Sequence, residues 1–230
     1  MTALQRCPTF HPMLVPVARQ GVLEQFDLVP SKIIGIGVNY RAHAVEMGKA
    51  IPEEPLMFLK PRSALLPDGS PIERPSGYDA VDYEGELGVV IGQRARRVSR
   101  ERALDFVLGF TCVNDVTVRD LQKKDGQWSR AKGFDTFCPL GPRIVAGLDP
   151  SALRIVTRVN GAVRQDSSTS DLIFDVPALI AFVSSHMTLE VGDVISTGTP
   201  AGVGNLVPGD VVEVEIEGIG TLRNPVIARP

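Results

Sequence analysis

Two glutamates near the middle of the chain have the spacing that brings carboxylates together on one face of a strand. Residues 81–92 begin polar and end as an apolar run rich in β-branched residues, which predicts a strand that enters a core. Side chains alternate between the two faces of a strand, so Glu84 and Glu86 point the same way, and Asp82 shares their parity. Crowded carboxylates repel one another and are costly to bury, whereas magnesium, manganese or calcium ions bind such oxygens well.

Taken alone, the same pattern also fits a solvated edge face. A metal site needs a third protein ligand, and Asp115 is the best candidate because it lies at the end of the strand predicted over residues 110–116. Three carboxylates would leave positions open for water and substrate oxygens, as a catalytic site requires. By itself, however, Asp115 also fits a turn residue that caps the next segment. In the metal-site interpretation, Asp82 supports the ligands from outside.

Two further groups could move or stabilise charge. His43 and Glu46 stand at i, i+3 in a segment of helix-forming composition, where the carboxylate could orient an imidazole whose ordinary pKa is near neutrality. Lys132, in the glycine-flanked residues 128–135, could anchor a substrate oxyanion or carboxylate. The alternatives are a structural or surface histidine and an ordinary surface lysine.

Several familiar catalytic and nucleotide-binding motifs are absent from the sequence. Gly35-Ile36-Gly37 lacks the third glycine of a dinucleotide loop, because Tyr40 stands in its place. Residues 197–204 form a glycine-rich turn that suits a carboxylate, but they lack the Gly-Lys-Ser/Thr of a phosphate-binding loop. Covalent catalysis by serine or cysteine has no support, since there is no Gly-x-Ser-x-Gly elbow and no cysteine–histidine motif.

Composition narrows the class of protein. The 230 residues can bury one large core, and 43% hydrophobic with 22% charged residues excludes a disordered or collagen-like chain. A formal net charge of −3 gives no electrostatic reason to expect nucleic acid. Cys7, Cys112 and Cys138 form no C-x-x-C pair and indicate reduced thiols. No apolar run approaches the ~20 residues that span a bilayer. We therefore expect a cytoplasmic protein without a membrane or nucleic-acid partner.

The elements that must hold these residues are mostly short strands. Residues 1–31 predict a short N-terminal arm, and residues 32–230 one catalytic domain. Residues 61–77 predict a long loop, and Ser99 predicts the cap of a short helix. Because strands outnumber helices and no regular βαβ alternation is present, the predicted fold class is α+β, mainly β, with mixed sheets.

Two local signals are especially clear. Asn160-Gly161 separates two short strands and predicts a hairpin with a type I′ turn. Asp175 precedes Pro177 and an apolar stretch, which predicts the start of a helix.

In combination, these motifs resemble the fumarylacetoacetate hydrolase family, and the short arm is similar to its single-domain, acylpyruvase-like branch. The matching pieces are residues 37–43 with Glu46, 57–61, 82–87, 114–122, 131–136 and 197–204. They occur in order from about residue 32 onward. The resemblance implies a mixed β-sandwich roll, a homodimer and a divalent metal site, with the His43 segment ordering as a lid over bound substrate.

The resemblance also implies roles for particular residues. They are Glu84, Glu86 and Asp115 as ligands of Mg²⁺ or Mn²⁺ (Ca²⁺ in a crystal), His43, Glu46 and Lys132 as catalytic groups, and Arg119, Gln122 and Thr199 as contacts of the substrate's carboxylate and keto oxygens.

Such a site would act on a small-molecule 2-oxo acid, because metal chelation by its carboxylate and keto oxygens stabilises an enolate. We expect a hydrolase that cleaves a carbon–carbon bond of 2,4-dioxo acids of the acylpyruvate or fumarylpyruvate type, with His43, oriented by Glu46, deprotonating water. Decarboxylation of oxaloacetate, or isomerisation or hydration of unsaturated 2-oxo acids in aromatic catabolism, passes through the same enolate and stays open. A dicarboxylate-binding protein without turnover is the alternative from another class.

Overall fold

The computed structural model describes residues 12–48 and 50–229 as a chain of short strands with few helices, which confirms the α+β, mainly β prediction. The strands are β1 (Met13–Arg19), β2 (Val22–Leu28), β3 (Ile33–Gly37), β4 (Leu56–Lys60), β5 (Leu65–Pro67), β6 (Ile72–Arg74), β7 (Val81–Tyr83), β8 (Gly85–Ile91), β9 (Val107–Asn114), β10 (Thr117–Val118), β11 (Cys138–Val145), β12 (Arg154–Val159), β13 (Ala162–Ser168), β14 (Val194–Ser196), β15 (Gly204–Asn205), β16 (Val211–Ile216) and β17 (Gly220–Ala228). The helices are α1 (Arg41–Glu46), α2 (Arg119–Asp125), α3 (Ser129–Lys132) and α4 (Val176–His186), with 3-10 helices at Arg62–Ala64, Arg100–Phe106 and Thr169–Asp171.

The strands of the described residues form three sheets. The largest has nine strands, in the order β2-β1-β11-β9-β8-β14-β3-β4, with β5 also paired to β11. A five-stranded sheet runs β13-β12-β16-β17-β6, and a three-stranded sheet runs β10-β7-β15. Parallel pairs such as β3 with β14 occur beside antiparallel pairs such as β8 with β9, so the sheets are mixed, as predicted.

The main core lies where the nine-stranded sheet, the five-stranded sheet and α4 meet. Leu87 and Val89 of β8 belong to one buried cluster with Ile155 of β12, Val214 of β16 and Leu179 of α4. Apolar contacts cover both faces of β8, and all seven of its residues are buried. Such two-sided burial explains the continuous apolar run that follows the acidic residues.

The acidic segment is two strands rather than the single strand that the sequence predicts. β7 pairs with β10 and β15 in the small sheet, whereas β8 pairs with β9 and β14 in the large one. The chain changes sheets at Glu84, whose peptide N–H donates to Asn114 Oδ1 at 2.9 Å and whose carbonyl accepts from the Asp115 N–H at 2.8 Å. The prediction of one strand over residues 81–92 is therefore wrong, and the change of sheet places Glu84 beside Asp115.

Two other local predictions are also wrong. Residues 61–77 contain a 3-10 helix and strands β5 and β6, because β5 pairs with β11 and β6 with β17, which are distant in sequence. A short helix follows Ser99, as predicted, in the form of the 3-10 helix Arg100–Phe106, but the predicted cap is wrong because the Ser99 side chain makes no capping hydrogen bond.

The two clearest local signals are confirmed. Asn160 and Gly161 have φ angles of 53° and 79°, as a type I′ turn requires, and they connect β12 to β13. Asp175 accepts a hydrogen bond from the Ala178 N–H at 3.0 Å, with Pro177 in the first turn of α4.

The described part of the predicted N-terminal arm is the hairpin β1–β2, which extends the large sheet through the parallel pairing of β1 with β11. The division of the chain at residue 31 remains a prediction, and Cys7 lies outside the described residues. None of the helices in residues 12–48 and 50–229 is long and apolar enough to cross a bilayer.

Candidate active site

A narrow polar cavity lies where β3, β8 and the helices α1, α2 and α3 converge. Every site residue predicted from the sequence lines this cavity, except Asp115 and Glu46, which contact lining residues from behind. The lining residues are Ile36, Gly37, Val38, His43, Met47, Glu84, Glu86, Arg119, Gln122, Trp128, Lys132 and Thr199.

The three predicted metal ligands form one cluster. Glu84, Glu86 and Asp115 each offer a carboxylate oxygen, and these oxygens lie within 4.8 Å of one another. The residues are only 5%, 1% and 1% exposed, so the solvated-face alternative is wrong for the glutamates. Three converging carboxylates are a donor set that fits a hard divalent cation such as Mg²⁺ or Mn²⁺.

The buried ammonium group of Lys132 partly balances the negative charge of two of these carboxylates. Lys132 donates from Nζ to Glu84 Oε2 at 2.8 Å, to Thr117 Oγ1 at 2.9 Å and to Asp115 Oδ2. Burial alone would lower the pKa of Lys132, but the negative charges of Asp115 and Glu84 outweigh it and raise that pKa. Lys132 is 2% exposed, which rules out the surface-lysine alternative.

Glu86 is in a different environment, since its hydrogen-bond donors are neutral. Its Oε2 accepts from Ser196 Oγ at 2.5 Å and from the Gly198 N–H at 2.8 Å. Burial, together with the charges of Asp115 and Glu84, raises the pKa of Glu86 to about 8. The glycine-rich turn that the sequence associates with a carboxylate therefore binds one of the protein's own. Gly198 has a φ of +100°, and a Cβ there would lie 2.8 Å from Asn39 Cβ.

Arg119, the first residue of α2, links the acidic strand segment to the cavity. It donates from Nε to Asp82 Oδ2 at 2.7 Å, from Nη1 to Gln122 Oε1 at 2.8 Å, and from Nη2 to Glu84 Oε1. Burial would raise the pKa of Glu84, but the Arg119 and Lys132 charges outweigh it and hold that pKa below its usual range. Asp82 thus touches the site through Arg119, in agreement with its predicted outer position.

His43 and Glu46 form a hydrogen-bonded pair on α1. His43 Nδ1 lies 3.0 Å from Glu46 Oε2, and Glu46 Oε1 accepts from the Gly202 N–H at 3.0 Å. His43 is 5% exposed, so it is not a surface histidine. The buried Asn39, just before α1, donates to the Thr197 carbonyl at 2.7 Å and thereby ties this helix to the glycine-rich turn.

Lys60, the last residue of β4, is a site residue that was not predicted from the sequence. Its Nζ donates to Asp115 Oδ1 at 2.5 Å, and its side chain is fully buried. Asp115 therefore lies between two ammonium groups, those of Lys60 and Lys132. The available signal was a lysine that closes an apolar strand directly before Pro61.

Two aromatic rings lie beside Lys132. The rings of Phe58 and Trp128 have centroids 5.3 Å apart, and Lys132 Nζ lies 4.7 Å and 5.9 Å from them, respectively. A Cβ on Gly37 would come within 2.6 Å of the Trp128 ring, so a glycine is needed for this close approach. The rings favour the ammonium form of Lys132 by cation–π attraction.

The sequence matches one protein family along most of its length. The family model "Fumarylacetoacetate (FAA) hydrolase C-terminal" matches residues 32–227. The oxaloacetate tautomerase YisK of Bacillus subtilis is 47% identical over 211 residues, which are 86% of this chain and 70% of that protein. The solved structure of 5-carboxymethyl-2-hydroxymuconate delta-isomerase from Mycobacterium smegmatis is 53% identical, with a TM-score of 0.84 over 89% of this chain and 81% of that one.

A second solved structure represents a different named activity. The fumarylacetoacetate hydrolase EaFAH from Exiguobacterium antarcticum is 43% identical, with a TM-score of 0.82 over 92% of this chain and 80% of that one. The motifs in the sequence, the fold and these matches agree, and the chain belongs to the fumarylacetoacetate hydrolase family.

Proposed function

We propose that this chain is an enzyme that uses a divalent cation and acts on a dicarboxylic 2-oxo acid. It adds a proton to the carbon next to the 2-oxo group, or removes one from it. It would act as a tautomerase or isomerase. The observation that carries the proposal is the buried cluster of Glu84, Glu86 and Asp115, with its oxygens within 4.8 Å of one another beside Lys132. Two named relatives, a tautomerase and an isomerase, support proton transfer over other reactions of the same enolate.

The negatively charged site residues would bind the metal ion, and the positively charged ones would bind the substrate. Glu84, Glu86 and Asp115 would hold Mg²⁺ or Mn²⁺, which, when bound, would polarise the carboxylate and 2-oxo oxygens of the substrate and stabilise an enolate. Lys132 would add positive charge beside those oxygens from a side chain already fixed by its three hydrogen bonds. Arg119 carries a second, partly buried positive charge on the cavity wall, where it would attract a carboxylate.

His43 is the candidate acid–base group. Its Nδ1 faces Glu46, so its Nε2 is the nitrogen free to exchange a proton with substrate, and the carboxylate would stabilise the imidazolium. In an enol-to-keto conversion, the substrate loses the hydroxyl proton at C2 and gains a proton at C3. The low exposure of His43 would keep bulk water away from this exchange.

Carbon–carbon hydrolysis, the reaction expected from the sequence, is kept as a second candidate. It is supported by the 43% identity to EaFAH and by the same histidine–carboxylate pair, which could activate water instead of a carbon acid. The predicted homodimer, the cytoplasmic location and the substrate-contact roles of Gln122 and Thr199 remain predictions.

A steady-state assay of four reactions separates the candidates. Enol oxaloacetate, a hydroxymuconate-type diacid and acetylpyruvate are each followed with Mg²⁺, with Mn²⁺ and with a chelator, while pyruvate formation from oxaloacetate reports decarboxylation. We expect metal-dependent ketonisation or isomerisation of a diacid to exceed acetylpyruvate cleavage. Full activity after exhaustive chelation would refute the metal role, and product-free binding of every acid would favour a binding protein.

His43→Ala tests the acid–base role, with His186→Ala as its control because His186 is exposed at the end of α4. Loss of an acid–base group typically costs about 10²–10⁴-fold in rate. We expect that loss for His43→Ala alone. Equal rates for the two variants would remove His43 from the mechanism.

A further inference from the structure

The hairpin β12–β13 places the buried side-chain amide of Gln165 behind the site. Gln165 is 1% exposed, whereas its neighbours Arg164 and Asp166 on β13 are exposed. Thr157 pairs with Gln165, but the next residue, Arg158, pairs with Val163, so Arg164 is the extra residue of a β-bulge. Bulges commonly re-aim a side chain beside an active site.

The contacts of Gln165 fix the orientation of its amide. Its Oε1 accepts from the Gly85 N–H at 3.1 Å, and its Nε2 donates to the Pro200 carbonyl at 2.8 Å. A peptide N–H can only donate and a carbonyl can only accept, so these two backbone groups leave one orientation of the amide. The other Nε2 hydrogen then points to Thr199 Oγ1, at 2.8 Å.

This arrangement also fixes the hydroxyl of Thr199. Because Thr199 Oγ1 accepts from Gln165, it is free to donate its own proton to the Gly85 carbonyl, at 2.9 Å. Gly85 is the peptide between the two glutamates of the carboxylate cluster, and Thr199 lines the cavity. The Gln165 side chain therefore connects Thr199, on the cavity wall, to the Gly85 peptide between the two glutamates.

β12 is packed directly against the same peptide. A Cβ on Gly85 would lie 2.1 Å from Thr157 Oγ1 and 3.2 Å from Gln165 Oε1. Because Thr157 Oγ1 is buried without a hydrogen-bond partner within the described structure, Gln165 supplies the polar contacts on this side of Gly85.

We propose that Gln165 is a positioning residue that acts through Thr199: it holds the Thr199 hydroxyl, and with it the Gly85 peptide, in the arrangement that binds a chelating acid. The inference rests on the proposed function, since it assumes that the acid binds in this cavity. Its role is in affinity for the acid and not in proton transfer, because Gln165 does not line the cavity.

Gln165→Met tests the proposal, and Asn224→Leu is a matched control. Both changes replace a buried amide by a neutral apolar side chain. Asn224 is also 1% exposed, and its Nδ2 donates to the Pro67 and Ser70 carbonyls, at 3.0 and 2.8 Å, which lie outside the cavity wall. Calorimetry with saturating Mn²⁺ measures the affinity for oxalate, a planar dianion that resembles an enolate.

We expect Gln165→Met to weaken oxalate binding about tenfold, the effect of losing one well-placed hydrogen bond, and Asn224→Leu to change it less than about twofold. In a Thr199→Val background, Gln165→Met should add less than about twofold, because the contact it supports is already gone. An unchanged affinity for Gln165→Met, an equal loss in the Asn224 control, or a full further loss in the Thr199→Val background would overturn the proposal.

Three arrangements keep this test decisive. If Gln165→Met does not fold, Gln165→Asn with Asn224→Ser shortens each buried polar side chain without adding a charge, and the same outcomes apply. In steady state, Gln165→Met should raise KM more than it lowers kcat, and the reverse would contradict a positioning role. Direct binding needs no turnover, so an enzyme inactive on every acid would refute the proposed function while the oxalate comparison still decides the role of Gln165.

Discussion

Replacing Lys60 by methionine should destabilise the metal-free protein and strengthen metal binding at the same time. Lys60 Nζ lies 2.5 Å from Asp115 Oδ1, and the two side chains are 0% and 1% exposed. Methionine keeps most of the apolar volume of lysine but removes the charge. Among the residues that the structure describes, Asp115 would then retain only Lys132 as a cationic partner.

The size of each effect follows from this burial. Removing one partner of a buried ion pair costs about 3–5 kcal/mol, which for a chain of this size lowers Tm by about 10 °C. The Lys60 ammonium group contacts Asp115, which is itself a proposed ligand of the ion, so the two positive charges lie close together. Two unit charges about 4 Å apart interact by about 4 kcal/mol at an effective dielectric constant of about 20, so losing this repulsion should tighten Mn²⁺ binding at least about tenfold.

Thermal unfolding with and without Mn²⁺ measures both effects. Tenfold tighter binding adds about 1.4 kcal/mol of stabilisation at saturating metal, so Mn²⁺ should raise the Tm of Lys60→Met by about 4 °C more than that of the unsubstituted protein. Lys32→Met is the control, because Lys32 pairs with the buried Asp193 outside the site. An equal Mn²⁺ increment for Lys60→Met and Lys32→Met would refute the placement of the ion beside Asp115.

Three further outcomes are expected. Glu46→Gln should lower kcat at least about tenfold in steady-state assays without changing Mn²⁺ affinity, since it removes the charge beside His43 and alters none of the three proposed metal ligands, and an unchanged kcat would contradict this role. Gly85→Ala should cost about 1–3 kcal/mol in denaturant unfolding, and Thr157→Ala should recover part of that loss, because the new Cβ would lie 2.1 Å from Thr157 Oγ1. Burial raises the pKa of the Cys112 and Cys138 thiols to about 12, so iodoacetamide at pH 8 should label them only in unfolded protein, as read by mass spectrometry.

Local rules of strand parity and turn chemistry predicted several parts of the site and the fold correctly. Strand parity places Glu84 and Glu86 in one cluster even though the strand breaks at Glu84, and a strand end places Asp115 beside them. Turn chemistry gives the hairpin at Asn160, because a type I′ turn needs positive φ at both central residues.

The remaining features depend on contacts between distant segments. β5 and β6 form in a predicted loop because β11 and β17 pair with them, and no local pattern announces those pairings. Lys60 looks like an ordinary strand end until the fold brings Asp115 to it from 55 residues away. Gln165 points inward only because of the bulge at Arg164.

The proposed metal site is tested most directly by the position of Mn²⁺ in a crystal grown with oxalate, located by anomalous scattering. We expect one ion bound by carboxylate oxygens of Glu84, Glu86 and Asp115, with oxalate on its open side next to Lys132. An ion bound elsewhere would contradict the proposed site. So would a cluster that holds no ion at saturating Mn²⁺ and oxalate, with Lys132 still bridging Glu84 and Asp115.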